Sequence, residues 1–160
     1  MAEAAKAGGA WAPRGAWAGI ASPGHVGAPG KAGVTARLLD GFGLASLIVA
    51  PGDMAALTMM AESRLGVTLP QTSRIVTGTS CEAIWSGPGQ WLLRTPAREG
   101  VASLKALAAH GALSDQSDGR AAVRVSGFHI RDMLAKGVML DLHPEAFAVG
   151  DAALTGIAHV

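Results

Sequence analysis

Residues 74–94 read Arg74-Ile-Val-Thr-Gly-Thr-Ser-Cys-Glu-Ala-Ile-Trp-Ser-Gly-Pro-Gly-Gln-Trp-Leu-Leu-Arg94. Three runs, Arg74–Thr77, Cys81–Ser86 and Gln90–Arg94, carry the β-branched and aromatic residues, and the turn-formers Gly78 and Gly87-Pro88-Gly89 separate them. Such side chains suit a pleated, half-buried surface, and Gly and Pro interrupt it. The gaps are too short for a parallel crossover, so the stretch predicts an antiparallel meander of three strands. Pro88-Gly89 favours a type II turn, whose twist does not suit a tight two-residue hairpin, so a longer or bulged connection is expected.

Working outward, Leu44-Ala-Ser-Leu-Ile-Val-Ala50 is a short apolar run stopped by Pro51-Gly52, which reads as a buried strand and as the start of the ordered part. Asp53 suits an N-cap, Leu57, Met60, Ala61 and Leu65 recur at helical spacing, and Gly66 supplies the C-terminal stop. Downstream, Val101, Leu104, Leu107 and Ala108 predict a helix from Arg98 to about His110, closed by Gly111. Asp115-Gln-Ser-Asp118 then leads into a strand over Ala121–Val125. Ile130, Met133 and Leu134 mark a last helix that ends at Lys136-Gly137. Strand groups alternating with helices give an α+β class, an antiparallel sheet with packed helices.

Residues 1–34 are Ala-, Gly- and Pro-rich with no surviving period, so they are expected to form a flexible tail ahead of a domain over 35–160. Trp11 and Trp17 sit in that tail. Large aromatic surface is costly to leave in water, which makes both candidate anchors on a partner or on the chain's own body.

Across the 160 residues, 49% are hydrophobic and 16% charged, against about 25% charged in ordinary soluble domains. An unusually apolar surface is implied, from Ala/Gly-rich composition or from burial against partner subunits. A net charge of +1 without a basic run offers no footprint for nucleic acid. Nor does any stretch approach the length of a membrane-spanning helix or show a signal-peptide pattern, so no membrane partner and a cytoplasmic location are expected. The single cysteine, Cys81, cannot pair within the chain and reads as a small core residue.

Chemical motifs fail on their spacing. Gly30-Lys31 resembles the end of a phosphate-binding loop, but His25 and Ala32 stand where Gly and Ser or Thr are needed. Gly41-Phe-Gly43 lacks the third glycine of a dinucleotide fingerprint, with Ser46 in its place, and precedes a strand where a helix is required. Asp141-Leu-His143 supplies two ligands where a metal site needs more, and reads as a turn-stabilising Asp beside a packed His. No catalytic residue and no metal site is assigned.

From Asp115 onward the sequence resembles the gamma subunit family of heterotetrameric sarcosine oxidase. The matching positions are Asp115-Gln-Ser-Asp-Gly-Arg120, Arg131-Asp132, Leu134-Ala-Lys-Gly137, Asp141-Leu-His-Pro144, Phe147 and Thr155, with Trp85-Ser-Gly-Pro-Gly-Gln-Trp-Leu92 upstream. The resemblance covers roughly residues 34 to 160. It implies a fold like the folate-binding domain of the glycine cleavage T-protein. Members of the family continue beyond the Thr-rich strand, so a C-terminally truncated version of that fold is expected here.

The same resemblance implies an accessory, non-catalytic chain in a complex that demethylates sarcosine oxidatively. The partners would be alpha, beta and delta subunits, with FAD, FMN, NAD and tetrahydrofolate all carried by other subunits. Trp11, Trp17, Trp85 and Trp91 are the candidate interface residues. Asp118, Arg120 and Arg124, with Asp115, could line a vestigial folate-like groove; alternatively they cap turns and form ion pairs, Arg120 beside Asp115 or Asp118. A free-standing folate-binding aminomethyltransferase-like protein is the alternative function.

Overall fold

The computed structural model describes residues 17, 19–21 and 30–158. Among these, the elements follow as β1 (Thr35–Leu39), β2 (Gly43–Val49), α1 (Met54–Leu65), β3 (Ile75–Thr77), β4 (Glu82–Gly87), β5 (Gln90–Thr95), α2 (Val101–Leu104), β6 (Gly111–Asp115), β7 (Ala122–Ser126) and α3 (Ile130–Leu134). No helix among the described residues is long and apolar enough to cross a membrane.

The meander forms as its composition requires, and β2 joins its edge to give an antiparallel sheet in the order β3-β4-β5-β2-β6. Register places Leu47 opposite Trp91, and Leu93 between Ala45 and Ala83. Because strand side chains alternate, these residues share one face. Onto it pack Leu57, Ala61 and Leu65 of α1 and the buried Val101, Leu104 and Leu107. The other face carries Ser46, Ile84 and Leu92, half-buried, and Ile48, exposed. Among the described residues, helices therefore close the core on one side.

Between β4 and β5 the register shifts from Trp85↔Trp91 to Gly87↔Gln90, the bulge expected of Pro88-Gly89. Gly89 takes φ +67°, the left-handed value a type II turn demands at its second central residue. Gly66 likewise ends α1 at φ +60°, its N–H bonded to the carbonyls of Ala61 and Glu62.

Four expectations are corrected. Asp53 makes no side-chain cap on α1; its carboxylate lies 3.3 Å from His110 Nδ1, a tertiary partner that outcompetes the local one. The segment over 98–109 is not one α-helix, since 3₁₀ turns, Arg98–Gly100 and Lys105–Ala109, flank the four-residue α2. Its buried residues Val101, Leu104 and Leu107 are spaced by three, the period of a 3₁₀ helix, and Ala108 is exposed. Gly111 does not stop a helix but begins β6, opposite Val49, and a Cβ there would clash with the Ile48 carbonyl oxygen. Ordered structure also starts before Leu44, because β1 pairs with β7 in a separate two-stranded ribbon.

Candidate interaction surface

The Asp115–Arg120 block folds into a turn against β2. Asp115 Oδ1 accepts from the Ser117 hydroxyl at 2.6 Å and the Ser117 N–H at 2.9 Å, and Ser117 Oγ accepts from Leu44 N–H at 3.0 Å. The Ser117 hydroxyl, then its N–H, hold the Asp115 carboxyl below its usual range. A lowered folded value means that ionised Asp115 stabilises the fold above the unfolded pKa of about 3.9, and that this contribution disappears as pH falls through the folded value. Asp115→Asn should therefore melt lower than the wild type at neutral pH and lose less on acidification from pH 5 to pH 2. Melting curves that stay parallel over that range would remove Asp115 from the acid response.

Asp118 is gripped by both terminal nitrogens of Arg98, which lowers the carboxyl and raises the guanidinium. This corrects the expected pairing of Arg120 with Asp115 or Asp118: the 3₁₀ turn after β5 delivers Arg98 to the carboxylate from twenty residues upstream. Arg120 is exposed and borders a hollow of about 140 Å³ on the outer sheet face, with Ile48, Gln90, Leu92 and Leu154. Arg124 stands on β7 opposite Arg37 of β1. Asp118, Arg120 and Arg124 thus occupy three different settings rather than one groove.

The tryptophans separate by burial. Trp91 is 1% exposed and donates from Nε1 to the Pro70 carbonyl at 2.8 Å, so it belongs to the chain's own core and not to an interface. Trp85, its cross-strand neighbour, is half-buried. Trp17 donates from Nε1 to the Ala122 carbonyl at 2.9 Å, anchoring on this chain's ribbon; Trp11 lies outside the described residues. Trp17→Phe should loosen that ribbon by about 1 kcal/mol, the net worth of one hydrogen bond. Faster hydrogen exchange at the β7 amides would register it, and unchanged exchange would deny the anchor.

Asp141 Oδ1 accepts from His143 N–H at 2.9 Å, the turn expected of it, but the His143 ring is largely exposed rather than packed. Burial, and then the neighbouring Glu82 charge, push the Cys81 thiol up, which disfavours the thiolate a nucleophile needs. Among the described residues no cluster of three His, Cys, Asp or Glu could hold a metal ion.

The prominent feature is the C-terminal flank. Over residues 127–158 only Ala152 is buried, while Phe128 and Val149 are each 96% exposed, Met139 88% and Leu154 69%. The backbone is nevertheless held in place. Ile75 N–H donates to the Gly150 carbonyl at 2.8 Å, Ala152 N–H to Ser73 at 2.9 Å, and Ala158 N–H to Gly137 at 2.8 Å. Arg74 pairs with Asp151 at 3.4 Å, and the Arg131 guanidinium donates to the Leu142 carbonyl. A segment ordered by hydrogen bonds that turns Phe128, Met139, Val149, Leu154 and Ile157 outward is the pattern of an interaction surface. No periodicity marked Phe128, Met139, Val149 or Leu154; the low share of charge was the signal the composition carried.

Fold and surface define a class: a small α+β domain with a core closed on one side and an apolar flank facing outward. The chain belongs to the sarcosine oxidase, gamma subunit family, whose model matches residues 50–159. It is similar to the sarcosine oxidase subunit gamma of Arthrobacter sp, 34% identical over 101 residues, or 60% of this chain; the match spans half of that relative's length. It is also similar to a chain of the heterotetrameric sarcosine oxidase from Corynebacterium sp. U-96 in complex with pyrrole 2-carboxylate. That likeness has a TM-score of 0.69 at 26% identity and covers 79% of this chain and 67% of the other.

Proposed function

We propose that this chain is an accessory, non-catalytic gamma subunit of a cytoplasmic sarcosine oxidase assembled with alpha, beta and delta subunits. The assembled complex demethylates sarcosine oxidatively to glycine, produces hydrogen peroxide and passes the one-carbon unit to tetrahydrofolate. FAD, FMN, NAD and tetrahydrofolate sit on the other subunits, and the fold of this chain is related to the folate-binding domain of the glycine cleavage T-protein. The observation that carries the reading is the 127–158 flank, whose exposed Phe128, Met139 and Val149 suit burial against a partner.

Co-expression with the other oxidase subunits of the same organism tests it. The chain should co-purify with the flavin-bearing subunits, and alone it should show no flavin absorbance and no sarcosine-dependent peroxide. A chain that elutes alone from such a mixture, or that holds stoichiometric flavin by itself, would sink the reading. Heat on titrating the lone chain with tetrahydrofolate would favour the aminomethyltransferase-like alternative.

A further inference from the structure

The β1–β7 ribbon sets Arg37 directly opposite Arg124. Directly opposed residues of an antiparallel pair project from the same face with Cβ atoms about 4.5–5.5 Å apart, where like charges repel. Both residues are exposed, and among the described residues no carboxylate forms an ion pair with either. Carboxylates close by in the chain are engaged elsewhere: Asp40 accepts from Gly41 N–H at 2.9 Å, Asp118 from Arg98, and Asp132 lies 3.0 Å from His129 Nδ1. By the period of two, the opposed hydroxyls of Thr35 and Ser126 lie on the same face as the arginines. Two guanidinium groups and two hydroxyls with no acid among them match the donor set that a carboxylate accepts from.

We propose that this face of the ribbon receives an Asp or Glu side chain of a neighbouring oxidase subunit, with Arg37 and Arg124 clamping its carboxylate. The inference rests on the subunit reading above and names what that partner presents. Charge complementarity argues for a protein acid: the exposed flank begins at Gly127 and Phe128, directly after β7, so a subunit docking there would also shield the arginines from water. Shielding strengthens a charge pair that is worth little when solvated. A free anion on an open ribbon would gain no such shielding.

The test is assembly of the full chain with the other oxidase subunits of its own organism, using Arg37→Glu, Arg124→Glu and, as a comparison on the flank, Phe128→Asp. Each single charge reversal turns the repulsive cross-strand pair into an attractive one, so the isolated variants should melt at or above the wild-type temperature. Their affinity for the other subunits should nevertheless fall by about tenfold or more, with a weaker salt dependence. Loss of assembly without loss of folding is an outcome that a merely structural role does not produce. If both reversals assemble like the wild type while Phe128→Asp does not, the subunit reading stands and the carboxylate clamp is overturned. If the wild type itself fails to assemble, both fall. Stabilisation of the isolated chain by inorganic phosphate, absent in Arg124→Glu and with assembly unaffected, would give the pair to a free anion and overturn the protein partner.

Discussion

Trp91→Ala is expected to remove about 3–5 kcal/mol of folding stability, the usual range for truncating a fully buried large aromatic side chain. That is a large part of the roughly 5–15 kcal/mol available to a domain of this kind. Trp91 is 1% exposed and sits between two strand neighbours, opposite Leu47 on β2 and Trp85 on β4. Truncation would open a void under both partners and leave the Pro70 carbonyl without its indole donor. Trp91→Phe keeps most of the volume and loses only the hydrogen bond, so it should cost about 1–3 kcal/mol. Guanidinium unfolding followed by far-UV circular dichroism, which does not depend on tryptophan emission, orders the two variants. Equal midpoints for wild type and Trp91→Ala would mean that the residue lies outside the core. Trp85→Ala should cost less than Trp91→Ala, because Trp85 is already half in solvent.

Phe128→Asp and Val149→Asp should do the reverse, leaving the chain folded and impairing its assembly. Both side chains are 96% exposed, so neither contributes packing to this chain. Exposed substitutions away from caps and networks usually stay within about 0.5 kcal/mol. In the proposed complex, an aromatic anchor buried at an interface costs about 2 kcal/mol or more when lost, or roughly 30-fold in affinity, and an unpaired carboxylate in its place adds a desolvation cost. The measurements are the melting temperature of the isolated variants and their dissociation constant from the other subunits. Variants that assemble normally would show that the flank faces solvent in the complex as well.

Much of the sheet was legible because its signals are local. Ile75, Val76, Ile84 and Trp91 favour extended backbone where they stand, Gly87-Pro88-Gly89 forces a reversal, and Leu57, Ala61 and Leu65 share a helical stripe ended by Gly66. Physical effects that act within a few residues leave a trace in the order of the residues. The short edge elements left almost none: β6 has Leu113 as its one large apolar residue, and β1 follows directly on a glycine-rich stretch. Their strand conformation comes from the neighbour they bond to, β2 for one and β7 for the other.

By itself, then, the sequence determined the class of fold, the meander, the central apolar strand and which face of α1 is buried. Tertiary structure alone decided that β2 lies between β5 and β6, that Asp118 takes Arg98 rather than Arg120, and that Asp53 turns to His110 instead of capping α1. It also decided that Phe128, Met139, Val149 and Leu154 point outward after β7, and that Arg37 and Arg124 face each other just ahead of that flank. Charge partners and exposed faces are chosen by distance in space. A carboxylate bonds to whichever cation the packed chain brings within reach, and composition and periodicity carry no record of that distance.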